Sequence, residues 1–331
     1  MGQLRTPERR LGARILGIGV YRPTRIVGHD DMPARVDAGD TGDASDAGTH
    51  GRSGVVSRRV AGPDETVVTM AAEAARKAMA QSGAHPSEVD MVLLATMSFP
   101  GQAPAAATRV ARLLGARSAG SLDIDAACSG FCYALGLADS LVRSGDARTV
   151  LVVGSEKMSD LVDPADRGAA FDFGDGAGAV VVGPSDVPGL GPVVWDSSGG
   201  RRHRIAHDLT WPAAPKAQPA APEMFRWATR VVPELSRQAL RKAGVEVADL
   251  AAFVPQQAGA RIVDVAAASL GLAPHTVVAK DGVTAGDTSA APIPLAIDRL
   301  LSQGTVSSGG LALLVGFGAD LAHAAQVVTL P

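Results

Sequence analysis

Apolar residues along this chain fall into runs and spacings that predict its elements. Near-continuous apolar stretches of strand length stand at 13–20, 91–96, 179–182 and 250–254, the pattern of strands covered on both faces. From Met70 the apolar positions take helical spacing and stop at Ser82-Gly83, after which come Pro86, Asp90 and the strand 91–96. The plan returns from Val232: a helix through Ala239-Leu240 ends at Ala243-Gly244, Asp249 follows, and 250–254 makes a strand. Two stretches built alike predict a duplicated α/β architecture, one half over 1–188 and the other over 189–331, joined near 184–192. Residues 39–54, rich in Asp, Gly, Ser and Thr, and 197–222, which carries His203, His207, several arginines and prolines, predict long loops.

Composition removes several classes of function. A net charge of −3 with both signs interspersed gives no electrostatic case for nucleic acid or an anionic membrane, and no apolar run is long enough to span a bilayer. Arg9 and Arg10 precede an apolar stretch, but Arg14 interrupts it and no small-residue cleavage site follows, so a secretory signal is not expected. The two cysteines, Cys128 and Cys132, stand four apart on one predicted helix and make no disulfide framework, which fits a reducing cytoplasm. No metal is expected: Asp40, Asp43 and Asp46 miss the calcium-loop spacing, and His203 and His207 have no third ligand in view.

The chemistry concentrates at Asp123-Ile124-Asp125-Ala126-Ala127-Cys128-Ser129-Gly130-Phe131, where a strand pattern gives way to a helical one. A thiol at a helix start meets unsatisfied backbone N–H groups and the positive end of the helix dipole, which favour thiolate. Cys128 therefore reads as a nucleophile. Cys132, followed by Tyr133, Leu135 and Leu137, reads as a small core residue. The glycines from Gly174 to Gly178 lead into a strand rather than a helix, so they indicate tight backbone packing and not a dinucleotide loop.

These segments, in order, resemble the thiolase superfamily, and within it the ketoacyl-acyl-carrier-protein synthase III group. The resemblance rests on Arg52 before Gly54-Val55, the Cys128 segment, Asp163-Pro164-Ala165-Asp166-Arg167-Gly168, Phe173-Gly174-Asp175-Gly176-Ala177-Gly178-Ala179, Val254-Pro255-Gln256-Gln257-Ala258, Asp287-Thr288-Ser289-Ala290-Ala291 and Gly316-Phe317-Gly318. It implies a five-layer αβαβα fold of two similar halves and a homodimer. It also implies an acyl group loaded onto Cys128 from a coenzyme A or acyl-carrier-protein thioester, with no permanently bound cofactor. The carbonyl oxygen would face the backbone N–H groups of Cys128 and Ala319.

The departures are chemically directed. Where the group carries His and Asn, both donors to the thioester oxygen of a decarboxylating malonyl unit, this chain has Gln256 and Asp287. An ionised Asp287 only accepts hydrogen bonds, and Gln256 exchanges no proton near neutral pH, so decarboxylative condensation should be poor. The resemblance then points to the non-condensing acyltransferases of natural-product pathways, which pass the acyl group to a hydroxyl, amine or thiol. A condensing synthase and a catalytically silent subunit of a synthase heterodimer are the alternatives. His203, His207 and His323 are candidate substitute bases.

Of the coenzyme A contacts, Arg52, Arg167 and Arg261 match the family's arginines. Gly48 and Gly259 replace its stacking Trp and pantetheine-binding Asn, which favours a carrier protein as one thioester partner. Ala103 stands where relatives place a Phe at the end of the acyl pocket, reaching from the partner subunit, and implies room for a bulky acyl group.

Overall fold

Two five-stranded sheets with one topology carry the fold of the computed structural model, which describes residues 12–28, 31, 54–101, 103–162, 171–197, 221–318 and 322–331. The first sheet is built from β1 (Gly12–Tyr21), β4 (Met91–Ala95), β5 (Gly120–Ile124), β6 (Val150–Lys157) and β7 (Asp175–Ser185), in the order β5-β4-β6-β7-β1. The second holds β8 (Val194–Ser197), β9 (Leu250–Pro255), β10 (Val277–Val278), β11 (Leu311–Phe317) and β12 (Ala322–Thr329), in the order β10-β9-β11-β12-β8. Each sheet has three parallel strands, then two antiparallel ones. The echo of helix, turn and strand in the sequence is therefore a repeat of the sheet itself. A small ribbon pairs β2 (Arg25–Gly28) with β3 (Ser57–Val60).

Strand alternation sorts the core into layers. Val92 and Leu94 of β4 face α1 (Val67–Ser82) and α2 (Ala106–Leu114) on the outside. Leu93, between them, faces inward to α3 (Gly130–Ser144) and α7 (Pro292–Ser302). Those two central helices also meet Val254, Ala312 and Ala324 of the second sheet. The far face of that sheet, Phe253, Leu313 and Val315, packs on α4 (Ala221–Ala243) and α5 (Ala260–Leu270). The result is the five-layer αβαβα order, and α6 (Gly282–Ala285) is a single turn beside the ribbon. No helix among the described residues is long and apolar enough to cross a membrane.

Caps fix the long outer helix. Thr66 and Thr69 form a reciprocal box at the start of α1, and Gly83 takes the left-handed conformation that ends it. The glycine-rich segment differs from its expected form, since β7 begins at Asp175 and runs through Gly176 and Gly178 rather than starting after them. The physical reason is close approach. A Cβ on Gly178 would meet the Pro294 ring at 2.6 Å, and one on Gly174 would fall 2.0 Å from the Ala285 carbonyl oxygen.

A buried ion cluster adds a polar tie. Asp281, 2% exposed, lies 2.8 Å from Arg22 Nη1 and 2.8 Å from Arg299 Nε, and Arg22 also donates to the Leu295 carbonyl. Asp281→Ala should destabilise the protein by about 3 kcal/mol, because two partly covered guanidinium groups lose their counter-charge. Urea unfolding reads that loss as a lower transition midpoint.

Candidate active site

β5 delivers Cys128 to a single 3₁₀ turn, Ala127–Ser129, that runs straight into α3. Ala127 is held at φ 40°, a left-handed conformation costing about 1–2 kcal/mol for a residue with a Cβ. Ser129 braces the turn: its N–H and its hydroxyl both donate to the Ala126 carbonyl, at 3.0 and 2.7 Å. Cys128 is half-buried and stands one residue before the N-cap of the 15-residue α3. The helix end thus offers its thiol the electropositive setting that stabilises thiolate. Cys132, one turn on, is 1% exposed, and burial pushes its thiol up to about 12. It is a packing residue.

The second half closes on the Cys128 turn through β11. A Cβ on Gly316 would lie 3.0 Å from Ser129 Cα, 3.2 Å from Cys132 Sγ and 3.5 Å from the Cys128 carbonyl oxygen. Gly316→Val should push the turn aside and slow acylation of Cys128 by roughly 10- to 100-fold, as small misplacements of a reacting group do. Stopped-flow acylation against a chromogenic thioester measures it.

The β9–β11 pairing then brings Gln256 alongside, since its backbone N–H donates to the Val315 carbonyl at 2.7 Å, one residue from Gly316. The Gln256 side chain is fully buried. Its Nε2 donates to Asp287 Oδ1 at 2.8 Å and to the Ser289 carbonyl at 3.0 Å. Asp287 is itself fixed by backbone, its N–H on the Asp172 carbonyl at 2.8 Å and its carbonyl receiving the Gly174 N–H at 3.0 Å. Its Oδ1 also accepts the Ser289 N–H at 2.9 Å.

Burial raises the Asp287 carboxyl to about 6, a rise that the Ser289 N–H and the Gln256 amide oppose and the nearby Asp172 charge augments. It is mostly ionised at neutral pH yet able to take a proton. An ordinary carboxyl in the unfolded chain titrates near 3.8, so the carboxyl favours the fold fully below about pH 4 and loses that contribution as pH rises through about 6. Asp287→Asn should consequently be more stable than the parent at pH 8, by up to about 3 kcal/mol, and show no such gain at pH 3.5. Paired thermal melts at the two pH values check it.

A buried Glu156 on β6, which the sequence motifs did not reveal, lies behind this loop. It accepts hydrogen bonds from Thr96 Oγ1 at 3.1 Å, the Met97 N–H at 3.1 Å, the Ser98 N–H at 3.0 Å and the Ser98 hydroxyl. Burial pushes it up to about 7 while Ser98, Met97, Ser289 and Thr96 lower it. Ser289, at φ 48°, joins it to the Asp287 loop. The available signal was a carboxylate following the apolar run 150–153 in the same strand.

The remaining predicted positions separate. His323 is corrected as a candidate base: it pairs with Phe317 across β11 and β12, so it shares that residue's face, opposite to the one Gly316 turns toward Cys128. There it is 4% exposed, edge-on to Trp227 at 5.8 Å and 3.9 Å from the Asp196 carboxylate. Ala103 lies exposed between β4 and α2. Gly259 has φ 121°, a conformation that favours glycine, at the N-cap of α5, and it lines a hollow with Val55, Gln257 and Lys280. Arg261 is exposed, with its guanidinium 4.8 Å from the Phe225 ring. Gly48, Arg52, Arg167, Ala319, His203 and His207 lie outside the described residues.

Comparison with known proteins agrees with this geometry. Family models described as 3-oxoacyl-[acyl-carrier-protein] synthase III and its C-terminal region match residues 122–199 and 240–330. The chain is 43% identical to a β-ketoacyl-[acyl-carrier-protein] synthase III of Streptomyces lividans, covering 100% of this chain and 98% of the relative. A Mycobacterium marinum relative, named a mycobacterial β-ketoacyl-[acyl-carrier-protein] synthase III, is 41% identical over 96% of this chain and 95% of its own. Among solved structures, the priming β-ketosynthase of the R1128 polyketide biosynthetic pathway superposes with a TM-score of 0.91 at 43% identity, covering 100% and 99% of the two chains. The Aquifex aeolicus 3-oxoacyl-[acyl-carrier-protein] synthase III follows with 0.87 at 35%, covering 96% of this chain and 100% of the other. With its thiolase-type fold and the Cys128 turn in place, this chain belongs to the 3-oxoacyl-[acyl-carrier-protein] synthase III family.

Proposed function

We propose that this enzyme takes an acyl group from a coenzyme A or acyl-carrier-protein thioester onto Cys128 and hands it to a hydroxyl, amine or thiol acceptor, without condensing it with malonate. The observation that carries the reading is the Gln256–Asp287 pair. Both Gln256 N–H bonds are already given to Asp287 and the Ser289 carbonyl. Asp287 above pH 6 is an acceptor, so neither side chain offers the enolate oxygen of a decarboxylating malonyl thioester a donor.

The Cys128 thiolate attacks the donor carbonyl, a new C–S bond forms as the donor's own C–S bond breaks, and the donor sulfur leaves as a thiolate that takes up the proton Cys128 gave away. Backbone N–H groups of Cys128 and Ala319 hold the tetrahedral oxyanion. The acceptor then attacks the acyl-enzyme carbonyl, its proton passes to Asp287, and Cys128 is released. Gln256 acts by orienting Asp287.

Around this centre, Arg52, Arg167, Arg261 and Gly259 line the donor arm. Ala103 reaches the acyl pocket of the second copy in a homodimer that works in the cytoplasm without metal or resident cofactor, each subunit dividing near 188/189. One observation favours a condensing synthase instead: relatives at 41–44% identity carry that name. Incubation with acyl thioesters followed by intact-mass measurement tests the reading, which requires an adduct absent from Cys128→Ala. Carbon dioxide release from a malonyl thioester at the rate of adduct turnover would establish condensation.

A further inference from the structure

We propose that the acceptor is a primary amine, received by two hydrogen-bond acceptors, Gln256 Oε1 and the Asp287 carboxylate, so that the product is an amide. The inference rests on the acyl-transfer reading above and narrows it.

The polarity of the Gln256 amide is fixed by its neighbours. Turned the other way, it would set Oε1 against Asp287 Oδ1 and the Ser289 carbonyl oxygen, two acceptors, and forfeit both bonds. Held as it is, the amide leaves Oε1 buried and without a partner among the described residues. A buried carbonyl oxygen in that state calls for a donor beyond those residues, which an entering substrate supplies. No hydrogen bond from a described residue reaches the second Asp287 oxygen either, and Asp287 keeps 7% of its surface exposed. Thr288 Oγ1 on the same loop also closes no hydrogen bond among the described residues, and the Ser289 hydroxyl is directed at Glu156, but a hydroxyl donates or accepts as it rotates and selects neither.

The site therefore presents one neutral and one anionic acceptor, where the resemblance in sequence implies a pair of donors. An acceptor pair suits a group with at least two polar hydrogens and a nucleophilic lone pair. A primary amine meets both conditions, whereas an alcohol brings one polar hydrogen and leaves one oxygen unpaired, and a thiol is a weak donor. A malonyl carboxylate would be repelled.

The amine nitrogen attacks the Cys128 thioester carbonyl carbon, a C–N bond forms and the C–S bond breaks. One nitrogen-bound proton moves to Asp287 and on to the Cys128 sulfur, leaving an amide and a free thiol.

The test loads Cys128 from an N-acetylcysteamine thioester, removes excess donor, and follows loss of the adduct by intact mass with n-propylamine, n-propanol or n-propanethiol, each rate corrected for the uncatalysed reaction. Amine discharge should exceed alcohol discharge by at least tenfold per loaded enzyme, and Asp287→Asn should reduce that ratio about tenfold. A loaded enzyme discharged faster by the alcohol or thiol, or an amine preference unchanged in Asp287→Asn, overturns the amine assignment and leaves acyl transfer standing. Failure to load Cys128 at all overturns both.

Discussion

Cys128→Ala loses acyl transfer by roughly 10⁴- to 10⁶-fold, the scale on which removing a nucleophile acts when the rest of its machinery stays in place. The size of the effect follows from how the residue is built in. The Cys128 turn carries strained backbone at Ala127, a double brace from Ser129 and the N-terminus of α3, and Gly316 is kept bare so that β11 can close on it. All of that arrangement positions one sulfur. Cys132→Ala is the matched control: its thiol is buried and held protonated, so the change should cost about 1 kcal/mol of stability and leave the loading rate near the parental value. Single-turnover loading with both variants separates the two cysteines.

Restoring the donor pair should move the enzyme toward condensation. Gln256→His with Asp287→Asn gives the site two side chains able to donate to a thioester enolate oxygen, and one such donor is worth about 10²–10³ in rate. Carbon dioxide release from a malonyl carrier-protein thioester should therefore rise at least 100-fold over the parent. Asp287→Asn alone should give part of the gain, because the new carboxamide can keep an acceptor oxygen toward Gln256 and the Ser289 N–H while its N–H₂ takes the place of Oδ2. No increase in the double variant would mean that the site's departure from the family does not lie in these two residues.

The periodicity of the chain carried most of the fold, because strands buried on both faces write themselves as apolar runs. Met91–Ala95 and Leu250–Pro255 stand where those runs predict them. The duplication was legible for the same reason, as both halves place a helix, a glycine and an acidic turn before an equivalent strand. Cys128, Gln256 and Asp287 stand out as positions in the sequence, and the structure shows Gln256 bonded to Asp287 and to the Val315 carbonyl, with the next residue, Gly316, packed on the Cys128 turn.

Three features were not. The face on which His323 falls depends on its register with Phe317, and register is a long-range property. Glu156 belongs to no motif, and its importance comes from donors on Thr96, Met97 and Ser98, a segment far back in the chain. The direction of the Gln256 amide is set by the Ser289 carbonyl, which no pattern of residue types encodes.

Whether the acyl group on Cys128 is handed on rather than condensed is decided by challenging the loaded enzyme with malonyl carrier protein while recording intact mass and released carbon dioxide together. With Gln256 and Asp287 in place, the Cys128 adduct should persist and no carbon dioxide beyond background should appear, until a nucleophilic acceptor is added and the adduct mass is lost. Prompt loss of the adduct on malonyl carrier protein alone, with one carbon dioxide released per acyl group, would contradict acyl transfer without condensation.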